Sequence, residues 1–231
     1  MEIRCYVRKD STAKEHSPYW YFRYHEGGKQ RTLYLGKTDD PEADVEVTVL
    51  LPEDRMPEAE VALRLAFHLL DRFDSHGSAE VAIDGAMVRI GQNEIFPIEA
   101  FMTHEGWEQT EQTGRNAWQG SYEKGGSRLT IHARSGVGDV VALVGSERIR
   151  AECKGGPLVV KAGSPEYPRL RQALGQLLTV ERVEAGDVMV AAVPRTDRFL
   201  RLARNWQPRP LLARSGIRIV LVGRNGITEG L

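Results

Sequence analysis

The clearest alternation of charged and apolar positions lies in the run RIRAECK at residues 148–154, where four charged residues alternate with three apolar ones. Successive side chains of a β-strand point to opposite faces, so this pattern predicts a strand with one charged and one apolar face. Glu152 and Lys154 fall on the charged face, and Cys153 falls on the apolar face as a packing residue. The pattern therefore predicts a carboxylate and an ammonium side by side at the end of one strand.

Comparable patterns predict further elements on both sides of this strand. Short apolar runs between turn residues indicate strands, and apolar residues three or four positions apart indicate helices. The predicted strands are residues 45–51, 81–83, 87–90, 95–98, 129–132, 140–144, 148–153, 188–193 and 217–222. The predicted helices are residues 57–73, 98–105, 167–180 and 197–206.

The N-terminal residues 19–35, YWYFRYHEGGKQRTLYL, predict a β-hairpin, because two runs rich in aromatic and apolar residues flank a glycine turn. Residues 3–7 are expected to add a third strand. Basic residues between aromatic ones suit nucleic acid, since cations meet phosphates and rings stack on bases. Arg23, Lys29 and Arg31 are the candidate contacts. The alternative is a small sheet whose aromatic residues form its core.

Charge is divided unevenly along the chain. Residues 1–37 carry a net charge of +4 (8 basic, 4 acidic), residues 38–112 carry −14 (4 basic, 18 acidic), and residues 113–231 carry +9 (19 basic, 10 acidic). A polyanion is attracted only by the two basic segments. The acidic middle section is therefore expected to be a scaffold or a contact surface for a protein partner or a second copy.

Other features of the composition exclude several classes of protein. The two cysteines, Cys5 and Cys153, form no CxxC or Cys/His cluster, so neither a zinc site nor a disulfide framework is indicated. No apolar run has the length of a membrane helix, and the N-terminus does not have the pattern of a signal peptide. A cytoplasmic protein that does not enter a membrane is expected.

A second carboxylate is expected beside Glu152. Asp139 begins the predicted strand 140–144, and a tight turn at Gly145-Ser146 joins this strand to the next, so Asp139 lies at the same end as Glu152. Phosphodiester hydrolysis uses hard oxygen ligands that hold a divalent cation. Lys154 can position or deprotonate the attacking water, or stabilise charge on phosphorus, and the sequence does not decide between these roles.

The segment GVGDVVALVGSERIRAECKGG, with its D-x12-E-x-K spacing, resembles the PD-(D/E)xK, or restriction-endonuclease-like, nuclease superfamily. The resemblance implies an α/β fold whose mixed central sheet is flanked by helices, with Asp139 and Glu152 as ligands of Mg2+ or Mn2+ and Lys154 as a catalytic residue. Several branches carry a glutamine in the following helix, so Gln176 is a fourth catalytic candidate; the alternative is an exposed helix residue. Gly138 replaces the usual proline before the first aspartate.

The resemblance also implies an acid from a first core helix, which the sequence does not identify among Glu99, Glu105 and Glu123. Three regions are expected. Residues 1–37 form a small basic β-sheet that weakly resembles the DNA-binding sheets ahead of tyrosine recombinase domains, residues 38–96 an acidic α+β section, and residues 97–231 the nuclease-like domain. Further candidate phosphate contacts lie on the outer face of helix 197–206: Arg198, Arg201 and Arg204.

The function implied is a Mg2+-dependent DNA endonuclease acting in restriction, phage defence, mobile-element biology or repair. Two alternatives stay open. One is a nuclease-fold subunit that binds nucleic acid or organises a complex without cutting. The other is a structure-specific nuclease resembling Holliday-junction resolvases, which work as dimers. The expected partners are DNA and either a second copy or another protein bound through the acidic section.

Overall fold

A computed structural model describes the following residues of the chain: 20–26, 29–36, 51–72, 77–90, 93–134, 138–160, 162–163 and 165–231. The chain divides into two units, Met1–Leu50 and Leu51–Leu231. In the first unit, strand β1 (Trp20–Glu26) pairs antiparallel with β2 (Lys29–Gly36). The predicted hairpin is thus confirmed, whereas the strand predicted at residues 3–7, and residues 45–50 of the one predicted at 45–51, lie outside the described residues.

The second unit contains thirteen described strands and six described helices. The strands are β3 (Arg55–Met56), β4 (Ser78–Ala82), β5 (Arg89–Ile90), β6 (Asn93–Glu94), β7 (Glu108–Gln112), β8 (Gly120–Lys124), β9 (Ser127–His132), β10 (Val140–Val144), β11 (Glu147–Cys153), β12 (Gly156–Pro157), β13 (Asp187–Pro194), β14 (Arg218–Val222) and β15 (Thr228–Glu229). The helices are α1 (Glu58–Asp71), α2 (Gly85–Val88), α3 (Ile98–His104), α4 (Glu166–Leu178), α5 (Asp197–Trp206) and α6 (Pro210–Ser215).

A large mixed sheet organises this unit, and its nine described strands follow the order β15-β14-β13-β11-β10-β4-β9-β8-β7. β10 and β11 are antiparallel because the two-residue turn Gly145-Ser146 joins them, with Gly145 in the left-handed region at φ 60°. β11, β13 and β14 run parallel to one another. Parallel neighbours need a crossover connection, and α4 supplies the crossover from β11 to β13.

Helices cover both faces of the sheet. α4 and α5 pack against one row of apolar side chains on β13 and β14, which includes Met189, Ala191 and Val193. The intervening residues Val190 and Ala192 are also fully buried, on the opposite face, where α1 contacts β4, β10 and β13. The fold class is therefore mixed α/β, with a large mixed sheet flanked by helices.

α1 forms because apolar residues recur at helical spacing between residues 61 and 70, and most of them are fully buried. Its first turn carries Glu58 and Glu60, acids that the positive end of the helix dipole stabilises. The predicted helix at residues 57–73 is confirmed for α1. Of the helices in the described part of the chain, none has the length and apolar character needed to cross a membrane.

The second unit begins well before the predicted boundary at residues 96 and 97. β4 lies in the middle of the sheet, between β10 and β9. Residues that the sequence assigned to the acidic section therefore share one sheet with the hairpin of β10 and β11. β9, the predicted strand that precedes residues 140–144, is not the neighbour of β10. The elements from α2 to β9 lie in sequence between β4 and β10.

One of the predicted short strands is wrong and another is only half confirmed. Residues 95–98 lead into α3, whereas of residues 87–90 the first two belong to α2 and the last two form β5. β7 had no predicted counterpart because its sequence, EQTEQ, lacks apolar alternation and all five residues are exposed. It lies at the edge of the sheet, where a strand needs no buried face.

Candidate active site

The structure brings together Asp139, Glu152 and Lys154. Val140 pairs with Ala151, so Asp139 and Glu152 lie opposite each other where β10 begins and β11 ends. Lys154 Nζ lies 3.7 Å from Asp139 Oδ2 and 3.9 Å from Glu152 Oε2. The backbone N–H of Cys153 donates a hydrogen bond of 2.7 Å to Asp139 Oδ2, which fixes this carboxylate against the end of β11.

Glu58 completes the cluster and was not among the residues singled out from the sequence. It is the first residue of α1, and its Oε1 accepts a hydrogen bond of 3.0 Å from Lys154 Nζ. Two features of the sequence pointed toward it: helix 57–73 was predicted, and acids are favoured in a first helical turn. The sequence did not show that the strand beside β10 is β4, which follows α1 rather than α3.

The three acids considered for the first core helix lie elsewhere. Glu99 is exposed on α3, and Glu123 is exposed on β8. Glu105 follows α3 and its Oε1 accepts a hydrogen bond of 3.3 Å from Arg64 Nη1. All three belong to the part of the chain between β4 and β10, whereas the helix acid that contacts Lys154 is Glu58.

Burial and charge perturb the ionisation of this cluster. The Glu152 side chain is only 12 % exposed. The pKa of Glu152 is raised to about 7, because burial and the negative charge of Asp139 raise it more than the Lys154 ammonium lowers it. Burial alone would lower the pKa of Lys154, but the charges of Asp139, Glu58 and Glu152 raise it, so Lys154 is an ammonium at neutral pH.

Two of the carboxylates also face a small cleft between α1 and the end of β4. The cleft has a volume of about 50 Å³ and is lined by Glu58, Ala59, Ala62, Ala82, Ile83, Asp84 and Asp139. The alanines leave room beside the carboxylates. Asp84 adds an exposed carboxylate, and its Oδ1 accepts a hydrogen bond of 3.0 Å from the Ala86 N–H.

The oxygen ligands of this cluster suit a hard divalent cation. In the described part of the chain, no group of three or more His, Cys, Asp and Glu side chains is arranged to hold a metal ion. Magnesium commonly binds to one or two carboxylates and completes its coordination with water and substrate phosphate oxygens. Asp139 and Glu152 provide two such carboxylates, and burial together with the charge of Asp139 raises the pKa of Glu152. The residues therefore fit Mg2+ or Mn2+.

Gln176 is not brought to this cluster. It is exposed on α4, ten residues after Glu166, which corresponds to about 15 Å along the helix axis. Because α4 links two parallel strands, its N-terminus rather than its C-terminal part lies near the end of β11. His132, at the end of β9, has its Nε2 3.7 Å from Glu80 Oε2.

The candidate nucleic-acid contacts lie in both units. Arg201 and Arg204 are exposed on α5, whereas Arg198 is partly buried, with its Nη1 3.7 Å from Glu166 Oε2. Arg23 pairs with Thr32 along the backbones of β1 and β2, and Arg31 and Lys29 lie on β2. The predicted basic residues are thus divided between a helix of the second unit and the hairpin of the first.

One family model matches the chain. Residues 2–44 are similar to a family described as a domain of unknown function, DUF6788. No curated protein and no solved structure matches the chain. The matched segment includes β1 and β2 and ends before the second unit begins. The family match therefore concerns the hairpin region and not the cluster around Asp139.

Proposed function

We propose that residues 51–231 form a metal-dependent nuclease of the PD-(D/E)xK type, which hydrolyses phosphodiester bonds in DNA. The observation that carries this proposal is the cluster at the end of β11, where Asp139, Glu152 and Glu58 surround the Lys154 ammonium. Asp139 and Glu152 lie opposite each other on adjacent strands, and Lys154 follows Glu152 by two residues. The three residues of the D-x12-E-x-K pattern are therefore close together in space.

The order of elements supports the same proposal. α1, β4, β10, β11, α4 and β13 form the sequence helix, three strands, helix, strand, which resembles the order of a restriction-endonuclease-like core. β10 lies between β4 and β11 in the sheet, so the three strands are neighbours. The elements from α2 to β9 are then an insertion between the first and second core strands.

Each residue of the cluster has a chemical role in this proposal. Asp139 and Glu152 would hold the cation, which when bound neutralises charge on the phosphate and lowers the pKa of a bound water. Lys154 remains an ammonium, so it orients the attacking water or stabilises negative charge on the phosphate oxygens. Glu58 positions Lys154 through its 3.0 Å hydrogen bond. Gly138 before Asp139 has φ 144° and lies close to the backbone of Ala151, where a side chain would not fit.

Charge outside the cluster is consistent with a polyanionic substrate. Residues 113–231 carry +9, and α5 presents Arg201 and Arg204 to solvent. These arginines, with Arg198, are the proposed phosphate contacts of the second unit. Arg23, Lys29 and Arg31 are the proposed contacts of the first unit, where a basic hairpin suits a nucleic-acid backbone.

Cleavage of defined substrates by the full chain tests the proposal. Linear duplex, single-stranded and branched DNA and an RNA of the same sequence are incubated with Mg2+ or Mn2+, and with EDTA as the metal-free reference. Asp139→Asn and Glu152→Gln are expected to abolish cleavage while binding is retained. Glu147→Gln is the matched control, because Glu147 is an exposed glutamate at the opposite end of β11. Cleavage that survives in both site variants would contradict the proposal.

A second candidate is a nuclease-fold subunit that binds nucleic acid without cutting it. One observation favours it: Lys154 already donates a hydrogen bond of 3.0 Å to Glu58. Salt-sensitive binding without cleavage of any substrate would support this candidate. Preference for branched DNA over linear DNA would instead identify a structure-specific nuclease.

A further inference from the structure

A second cleft lies beside the candidate active site at the same end of the sheet. It has a volume of about 240 Å³. Its lining residues come from the end of β12 and the segment after it, the start of α4, the segment after β13 and the start of α5: Pro157, Leu158, Val159, Val160, Glu166, Arg195, Thr196, Asp197 and Arg198. The Lys154 N–H donates a hydrogen bond of 2.9 Å to Ala192 O, so the ends of β11 and β13 lie together. Ligands of open α/β sheets commonly bind at the carboxyl ends of such strands.

The cleft contains a buried carboxylate that lacks a hydrogen bond. Glu166 is only 2 % exposed, and its Oε2 has no hydrogen-bond partner. Among the described residues, Arg198 forms an ion pair with this oxygen, with its Nη1 at 3.7 Å. The first turn of a helix favours a negative charge, which explains why an acid stands at Glu166. It does not explain why one oxygen of this carboxylate is buried without a hydrogen-bond donor. Glu166 Oε2 can therefore accept one hydrogen bond from a donor group of a ligand.

The charges around the cleft restrict the kind of ligand that it accepts. An anion alone would face the Glu166 and Asp197 carboxylates, and a metal cation would face Arg195 and Arg198. Arg195 is 39 % exposed at the rim, where its Nε donates a hydrogen bond of 2.6 Å to Glu229 Oε1. A neutral group with a donor at its edge, attached to a phosphate, satisfies both the buried acid and the two arginines.

The apolar part of the lining restricts the ligand further. Pro157 is buried, and Val159 and Val160 are 47 % and 75 % exposed beside it. Exposed apolar surface beside a few polar groups is typical of a ligand site. It suits the faces of a flat heterocycle, whose edge then meets Glu166.

We propose that this cleft binds one unstacked nucleobase of the substrate strand, a base that carries an exocyclic amino group. The amino group of adenine, cytosine or guanine donates to the Glu166 carboxylate, and the adjacent phosphate binds Arg195 and Arg198. The phosphate attracts Arg198 away from Glu166 Oε2, and this oxygen then accepts the hydrogen bond from the amino group. Thymine offers its single N3–H between two carbonyl oxygens, which the carboxylate repels. The inference rests on the proposed function in one respect, because that function makes the ligand part of a nucleic-acid strand.

Binding of the four deoxynucleoside 5′-monophosphates to the full chain tests this site without any cleavage. The titrations are followed by chemical shifts of backbone amides in metal-free buffer. dAMP, dCMP and dGMP are expected to shift the Leu158 and Thr196 amides and to bind about tenfold more tightly than dTMP, the difference expected for one hydrogen bond to a charged group. Equal affinity for all four nucleotides, or no binding of any at millimolar concentration, would overturn the proposal.

Two variants separate the base contact from general effects. Glu166→Gln, whose amide both donates and accepts, is expected to remove the preference against dTMP. Val160→Trp places a large ring in the cleft while Glu166 itself is unchanged, and it is expected to abolish binding of all four nucleotides. The matched control is Val183→Trp, since Val183 is an exposed valine outside the cleft.

The outcomes distinguish this inference from the proposed nuclease function. A preference that persists in Glu166→Gln, or binding that persists in Val160→Trp, overturns the base site whether or not the protein cuts DNA. Conversely, nucleotide binding with the expected preference supports the base site even if Asp139→Asn leaves cleavage unchanged. If Glu166→Gln does not fold, as judged by its unfolding transition, Val160→Trp and the dTMP comparison still decide the question.

Discussion

Lys154 Nζ donates a 3.0 Å hydrogen bond to Glu58 Oε1 across 96 positions of sequence. This bond joins the first turn of α1 to the end of β11. Lys154 is buried, with a side chain that is 4 % exposed, so its position depends on the acids around it. Of these, Glu58 makes the shortest contact, while Asp139 and Glu152 lie at 3.7 and 3.9 Å. The helix therefore sets where the ammonium stands relative to the two carboxylates of the hairpin.

Substitution of Glu58 by glutamine tests this relationship. The amide keeps the size of the side chain but loses the charge that attracts Lys154, so kcat for DNA cleavage is expected to fall by about 10–100-fold, as for residues that orient metal-site groups. KM is expected to change little, because Glu58 is proposed to position Lys154 and not to bind the strand. Glu53→Gln is the control, since Glu53 is exposed in the segment before α1. Equal kcat values for the two variants would contradict the positioning role.

The raised pKa of Glu152 predicts a pH-dependent stability of the metal-free protein. Its pKa of about 7 in the fold exceeds the ordinary value of 4.5, so the folded state holds a proton that the unfolded state has already lost between these values. Stability contributed by this group is thus full below pH 4.5 and is lost as the pH rises toward 7. Glu152→Gln cannot ionise, so it is expected to raise Tm in EDTA at pH 8 by roughly 2–4 °C, allowing for solvent screening.

Thermal unfolding between pH 4 and pH 8.5 measures this effect. The difference in Tm between Glu152→Gln and wild type is expected to shrink as the pH falls and to vanish near pH 4.5. Glu147→Gln controls for the loss of a glutamate from the same strand, because Glu147 is exposed. A Tm difference that does not vary with pH would show that burial and Asp139 do not shift the ionisation of Glu152.

A separate charge network is expected to stabilise the opposite end of β11. Asp187 accepts hydrogen bonds from Arg148 Nε at 2.6 Å and from Arg150 Nη1 at 3.0 Å. The hydrogen bonds from Arg148 and from the Glu184 backbone, and that from Arg150, hold the pKa of Asp187 well below its usual range. This contribution is present above the ordinary pKa of 3.8 and is lost as the pH falls through the lowered value.

Asp187→Asn is therefore expected to lower Tm at pH 7, because it leaves the buried Arg150 guanidinium beside a neutral amide. The loss relative to wild type should diminish in strongly acidic buffer, where Asp187 is itself protonated. Glu184→Gln is the matched control, since this half-exposed acid lies 3.4 Å from Arg148 Nη2. Similar Tm losses in the two variants would contradict the special role of Asp187.

The sequence predicts the hairpin part of the site well, because its signals are local. Alternation within residues 148–154 and the Gly145-Ser146 turn suffice to place Glu152 opposite Asp139, and the structure has that register. Glu58 could not be found in this way, since its proximity to Lys154 depends on which helix packs beside β10. The elements from α2 to β9 lie in sequence between β4 and β10, so the strand that precedes β10 in sequence, β9, is not its neighbour in the sheet.

Net charge was a weaker guide than periodicity. The acidic section of residues 38–112 contains Glu58, which faces the candidate site, and Glu60, which is fully buried. Counting charges treats these acids like those of the exposed strand β7, although their surroundings differ. Helical periodicity likewise could not place Gln176, because it reveals which face of α4 is buried and not which end approaches the cluster.

The buried Glu60 carboxylate links α1 to the turn between β14 and β15, and this contact is expected to hold the first turn of α1 in place. Its Oε1 and Oε2 accept hydrogen bonds from Arg224 Nε at 2.8 Å and Arg224 Nη2 at 2.7 Å. Arg224 Nη2 also donates to Arg55 O at 3.0 Å, just before the helix. Arg64 Nε donates a further hydrogen bond of 3.0 Å to Glu60 Oε1. Arg224 thus connects the first turn of α1, the segment before α1 and the turn between β14 and β15. Glu58 lies in that first turn, two residues before Glu60.

Arg224→Gln is expected to reduce the free energy of unfolding by about 1.5–3 kcal/mol, the usual value of a hydrogen bond to a charged group, because Arg64 still neutralises part of the Glu60 charge. Urea denaturation measures this loss. Arg218→Gln provides the control, since Arg218 is exposed on β14. We expect kcat to fall in Arg224→Gln under conditions where the protein remains folded, because movement of the first turn of α1 displaces Glu58 from Lys154. If Arg224→Gln loses stability but keeps the kcat of Arg218→Gln, Glu58 is held by its bond to Lys154 alone.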